Sequence, residues 1–155
     1  MVQRALPFCG SSKTSGHNFV FLEGVNAALQ ADAAFKIDYY TEQPTRGLRA
    51  VGRVYAGLGF SQAFYSDRCY ETMGHSARLG VDLNYSSLED FLVGCWEGHF
   101  LGQRDANDLL TQLWTWRPGD VSTTPCDVGD TVKALQSIKA KLLALPAKKD
   151  LYFCP

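Results

Sequence analysis

Apolar residues recur along this chain with the period of a helix far more often than with that of a strand. Phe21, Leu22, Val25, Ala28 and Leu29 share one helical face, and so do Leu48, Val51, Val54, Tyr55 and Leu58. Glycines at 52, 57 and 59 weaken the second helix by about 1 kcal/mol each relative to alanine, which makes sense if a neighbour packs closely there. Ser86-Ser87-Leu88-Glu89 reads as a capping box with Ser86 as the cap, opening a helix whose apolar face is Leu88, Phe91, Leu92, Cys95, Trp96 and Phe100. A further helix fits Ala106 to Trp116, with Leu109, Leu110, Leu113 and Trp114 buried and Pro118-Gly119-Asp120 as its stop. Asp130 caps a last helix carrying Val132, Leu135 and Ile138. Asp32 to Pro44, with Tyr39 and Tyr40, reads as a polar connection, and Gly74 to Asn84 reads as a loop.

Only two stretches read as strands, Arg4 to Cys9 and Lys141 to Leu145, and they lie at opposite ends of the chain. Two short strands do not make a stable sheet alone, and parallel strands need helices on both faces. The pattern therefore predicts an α/β protein: a helical insertion between two short parallel strands of a larger sheet. Its expected divisions are a strand and following helix over 1–44, a helical cap over 45–117, and a helix, strand and loop over 118–155.

Composition adds mostly exclusions. With 155 residues, 46% hydrophobic and 20% charged, and a formal net charge of -1, the chain is expected to be soluble, intracellular and cytoplasmic, with neither nucleic acid nor membrane as partner. No run approaches the roughly 20 apolar residues that span a bilayer, and the first residues are too soon broken by Pro7 for a signal peptide. Cys9, Cys69, Cys95, Cys126 and Cys154 are scattered, without a Cys-x-x-Cys pair, so neither a metal site nor a disulfide framework is expected. Asn84-Tyr85-Ser86 matches the glycosylation sequon, and chance explains it better.

Several residues bear on chemistry. Gly57-Leu58-Gly59-Phe60-Ser61-Gln62-Ala63 resembles a nucleophile elbow, yet the residues before Ser61 have helical period, so a helix interior is expected instead. Paired with His99, Ser61 would make a self-contained esterase; His99 reads better as a helix-surface or packing residue. His17 fits a capping or turn role beside Asn18, with a catalytic role as the alternative. Trp114, Trp116 and Phe100 either line a substrate pocket or belong to the core. Asp150 follows an apolar strand, where open α/β sheets place functional residues, and a carboxylate there can orient a histidine. From position alone an ordinary surface aspartate fits equally well.

Four stretches resemble the homoserine O-acetyltransferase-like family of α/β-hydrolases, most of all its fungal members, some of which serve secondary metabolism. They are Cys9 to Ser15 with His17-Asn18, Glu23 to Asp32, Arg104 to Asn107, and Asp150 to Phe153. The resemblance implies a partial α/β-hydrolase fold, Asp150 as the acid of a catalytic triad, and serine-dependent acyl transfer or ester hydrolysis. It places the nucleophilic serine before Met1 and the histidine after Pro155. It implies no bound cofactor, with acetyl-CoA or another acyl donor as cosubstrate. A full-length paralogue or a second copy would be the partner, and a non-catalytic remnant is the rival reading. Members that use homoserine carry acidic residues where this chain has Leu113-Trp114-Thr115-Trp116-Arg117, so a more apolar acyl acceptor is expected.

Overall fold

The computed structural model describes residues 2–36, 40–76, 81–125, 128–148, 150 and 152–153. Tyr39, Cys126, Leu151 and Cys154 lie outside the described residues, as does the side chain of His75. The chain divides into two compact units, Met1–Leu22 with Leu113–Pro155, and Glu23–Gln112.

The first unit is built on the two strands. β1 (Arg4–Ala5) pairs in parallel with β4 (Lys141–Leu142), Arg4 opposite Lys141 and Ala5 opposite Leu142. A bridge between Phe8 and Leu145 continues the pairing. Pro7 cannot donate to β4, so the regular ladder stops at Ala5 and Leu142, yet the Pro7 carbonyl still accepts from Leu145 N at 2.9 Å. The parallel pairing expected from the two apolar ends is therefore present, with a shorter regular ladder than Lys141 to Leu145. α7 (Thr131–Gln136) follows Asp130, whose carboxylate accepts from Lys133 N at 2.9 Å as the cap expected there.

α1 (Gly16–Gln30) buries Phe21, Leu22, Val25 and Leu29. Its cap is Ser15, whose hydroxyl accepts from Asn18 N at 3.1 Å. His17 is exposed, so the capping role expected of it belongs to Ser15.

In the second unit α2 (Thr45–Gly59) buries Leu48 and Val51. α3 (Gln62–Ser66) follows directly. Gly74 to Asn84, expected as a loop, contains a short antiparallel hairpin of β2 (His75–Ser76) and β3 (Val81–Asp82). The next helix starts one residue later than the capping box predicts. Ser87 accepts from Asp90 N at 3.1 Å, and Glu89 pairs with Arg53 instead of reaching back to Ser86. This helix is also not continuous: α4 (Leu88–Phe91) opens into a π turn over Leu92–Glu97 before α5 (Gly98–Gln103). Leu88, at the start of α4, is exposed, while Phe91 and Phe100 are buried on either side of the π turn.

The π turn lies against α2 at the glycines. A Cβ at Gly52 would sit 2.7 Å from Trp96 O, and one at Gly59 would overlap the Trp96 ring. Gly57 has nothing within 4 Å, so the close-approach reading holds at two of the three positions. Glu97 is buried here and accepts from Arg53 Nε at 2.5 Å, while Arg53 also bonds Glu89. α6 (Ala106–Trp116) starts at Asp105, whose Oδ1 accepts from Asn107 N at 2.9 Å. Its Oδ2 takes Tyr40 Oη at 2.5 Å and Gln43 Nε2 at 2.9 Å. Leu109 and Leu113 are buried as expected, but Trp114 is 69% exposed and is not a core residue. Among the described residues no helix is long and apolar enough to cross a membrane.

Candidate active site

The chemistry-bearing residues of the first unit converge after β4. Asp150 N donates to Ala147 O at 3.1 Å. Asp150 Oδ1 then accepts from the amides of Tyr152 at 2.8 Å and Phe153 at 2.9 Å. These bonds hold the carboxylate in one orientation and leave Oδ2 without a hydrogen bond among the described residues. No described histidine is hydrogen-bonded to Asp150.

The two residues that donate to Asp150 carry aromatic rings, and those rings meet Trp116. The indole centroid is 5.4 Å from Tyr152 and 6.0 Å from Phe153. Phe21 of α1 meets Tyr152 edge-on at 5.3 Å. Trp116 thus adjoins the acid loop, whereas Trp114 makes no ring contact among the described residues. Of the two tryptophans expected to line a pocket, Trp116 is the one brought to Asp150.

The end of α6 is held from the other side by the segment after β1. Thr14 Oγ1 donates to Trp116 O at 2.7 Å, Thr14 N donates to Gly119 O at 2.8 Å, and Val121 N donates to Ser12 O at 2.9 Å. Lys13 Nζ pairs with Asp120 Oδ2 at 2.9 Å. Asp120 Oδ1 accepts from the Ser122 hydroxyl at 2.6 Å. The Ser122 hydroxyl, then Lys13 and the Ser122 amide, pull the Asp120 carboxyl down from 3.8 to about 2. One stretch of the resemblance, Cys9 to Ser15, is therefore the clamp on Trp116, and a second stretch is the acid loop.

Other candidates fall elsewhere. Ser61 is the cap of α3, its hydroxyl accepting from Phe64 N at 3.2 Å, and a helix precedes it where an elbow needs a strand. It is neither an elbow nor the helix-interior residue expected; it sits between two helices. His99 is an exposed helix residue, edge-on to Phe100 at 5.3 Å and 3.2 Å from Arg104 Nη2. Cys9 and Cys69 are exposed thiols, Cys95 is half-buried, and burial raises its pKa. Among the described residues no group of histidine, cysteine and carboxylate side chains is placed to hold a metal. The clamp through Asp120 and the contact of Phe21 with Tyr152 were not legible in sequence, because both pair residues a hundred or more positions apart.

No protein-family model matches the chain. A probable esterase of Corynebacterium glutamicum is 34% identical over 98% of this chain, which covers 40% of that protein. An ethyl acetate hydrolase of Pseudomonas veronii is 32% identical, with the same coverage. Among solved structures, an acetylester hydrolase of Corynebacterium glutamicum superposes with a TM-score of 0.83 at 32% identity, over 99% of this chain and 41% of that one. A homoserine O-acetyltransferase of Bacillus anthracis superposes at 0.76 with 20% identity, over 99% of this chain and 41% of that one, a likeness of fold alone. The chain thus spans about two fifths of the length of the relatives it matches. It has a partial α/β-hydrolase fold and is related over nearly its whole length to ester hydrolases.

Proposed function

We propose that residues 1–155 supply the acid and part of the substrate pocket of a serine-dependent ester hydrolase that acts on small uncharged esters, acetyl esters first. The observation that carries this is Asp150, with Oδ1 pinned by two amides, Oδ2 open, and the Trp116 ring beside its loop. In this reading a serine outside these residues attacks the ester carbonyl. A histidine takes the serine proton and returns it to the departing alcohol, and water then releases the acid from the acyl-enzyme. Asp150 holds the imidazole Nδ1–H through Oδ2 and stabilises the imidazolium while the proton is on the ring. The helices within 45–117 serve as the cap.

The aromatic surroundings set the substrate class. Trp116, Tyr152 and Phe153 offer ring faces and no carboxylate to an acceptor alcohol, which suits an uncharged alkoxy group and not the ammonium of homoserine. Bacterial relatives named for acetyl ester and ethyl acetate hydrolysis support the same choice. No bound cofactor enters this chemistry, and acetyl-CoA figures only as a competing acyl donor. A tie to fungal secondary metabolism is a finer proposal resting on the sequence motifs alone.

The test is a chimera in which residues 1–155 replace the matched stretch of the Corynebacterium glutamicum esterase. It is assayed with ethyl acetate, and with acetyl-CoA plus homoserine. Preference for the ester by roughly 100-fold or more in kcat/KM is expected, the scale on which a site discriminates an ill-matched polar group. Faster acetyl transfer to homoserine would overturn the substrate class. A folded chimera inert towards both would favour a non-catalytic remnant.

A further inference from the structure

Trp116 is the last residue of α6, and the carbonyls of a helix's last turn have no partner within the helix. The Trp116 carbonyl nevertheless takes two donors. Gly119 N reaches it at 3.1 Å from the turn that follows, and Thr14 Oγ1 reaches it at 2.7 Å from a segment 102 positions earlier. A carbonyl oxygen has two lone pairs, so both are engaged and the peptide plane at the end of the helix is fixed.

Thr14 is itself held. Its amide donates to Gly119 O at 2.8 Å, and Val121 N donates to Ser12 O at 2.9 Å, so 12–14 runs antiparallel to 119–121. The half-buried threonine thus grips the turn through both its amide and its hydroxyl. This approach needs a glycine opposite. A Cβ at Gly119 would lie 3.1 Å from Thr14 Oγ1 and 3.1 Å from Trp116 O, crowding both ends of the bond.

The other end of Trp116 is its ring, which meets Tyr152 and Phe153 and remains 36% exposed. Trp116 therefore bridges two loops that leave the carboxyl ends of neighbouring parallel strands, the one after β1 and the one after β4. Its carbonyl is held by the first and its indole rests on the second. Ring contacts alone let an indole slide over its neighbours, and anchoring its backbone removes that freedom before a substrate arrives.

We infer that Thr14 is a positioning residue: through the Trp116 carbonyl its hydroxyl sets where the indole stands beside the acid loop, and so fixes the wall met by the alkoxy group of an ester. This rests on the reading of Trp116 as part of the substrate pocket. It acts on binding and not on the chemical step, because Asp150 is oriented by the amides of Tyr152 and Phe153 and not by their rings.

In the esterase chimera, Thr14→Val removes the hydroxyl at nearly constant shape, Thr14→Ser keeps it, and Gly119→Ala wedges the bond from the other side. On ethyl acetate, Thr14→Val and Gly119→Ala are expected to raise KM roughly 2- to 5-fold with kcat within about 2-fold, the scale of one neutral hydrogen bond. Thr14→Ser should keep the parent KM. In a Trp116→Ala background Thr14→Val should add nothing, since a residue acting through Trp116 then has no ring to position. Fluorine NMR of the fluorotryptophan-labelled chimera, with the Trp116 resonance assigned by its loss in Trp116→Phe, should show that resonance moved by Thr14→Val and kept by Thr14→Ser. Effects of Thr14→Val and Trp116→Ala that simply multiply would overturn the inference. So would a serine variant no better than valine, or a KM that Trp116→Ala raises and the Thr14 and Gly119 variants leave alone. A KM unchanged in Trp116→Ala instead sinks the pocket reading, and the resonance alone then decides the positioning. Left in place by Thr14→Val, it overturns the inference whether or not the chimera turns over esters.

Discussion

Asp120 links the segment after β1 to the end of α6, and its charge makes that link depend on pH. Its carboxyl is held at about 2, below the ordinary 3.8, by the Ser122 hydroxyl first and Lys13 second. A carboxyl depressed on folding contributes stability that is complete above its unfolded value and is lost as pH falls through the folded one. The melting-temperature difference between the chimera and its Asp120→Asn variant should therefore be constant above about pH 5 and shrink between about 4 and 2. A difference independent of pH across that window would show that the Lys13–Asp120 link does not form. Trp116 gives a second prediction at this scale. An aromatic pair is worth about 1 kcal/mol beyond its buried area, roughly 5-fold in affinity, so Trp116→Ala should raise KM for an acetyl ester by that order or more. Trp114→Ala should not, since Trp114 stands clear of the acid loop. In sequence Asp150 stood out as a candidate because it follows an apolar strand, where a surface aspartate fits equally well. Which of the two tryptophans meets its loop was not legible, since residues two apart on a helix point in different directions.

At the scale of elements, helical spacing located α1, α2 and α6 well, because each buries a continuous apolar stripe. It failed where the backbone departs from 3.6 residues per turn. The π turn at Leu92–Glu97 inserts an extra residue into the helix, and the capping box slipped from Ser86 to Ser87 because Glu89 is drawn to Arg53. The glycines of α2 separate packing from propensity. Gly52→Ala drives a methyl into the Trp96 carbonyl and should cost about 1–3 kcal/mol in urea unfolding. Gly57→Ala meets nothing within 4 Å and should stabilise by up to about 1 kcal/mol. Equal effects at the two sites would mean that α2 does not lie against the π turn as described.

For the molecule as a whole, the sequence pattern already implied a sheet larger than its two strands, and the structure pairs those strands in parallel with apolar residues exposed on both faces. The alignment with a probable esterase covers 98% of the chain at 34% identity, so the likeness extends across both compact units and is not confined to one motif. What joins fold to proposed function is the loop after β4, where local backbone bonds orient one carboxylate beside an aromatic ring. Hence the most direct test is kcat of the esterase chimera with Asp150→Asn, measured on ethyl acetate beside Asp120→Asn as a control. A fall of roughly 10³–10⁴-fold in kcat with KM little changed is predicted, the loss expected when a triad acid no longer orients its histidine. A kcat within about 3-fold of the parent, in a variant that melts like the parent, would contradict the assignment of Asp150 as that acid.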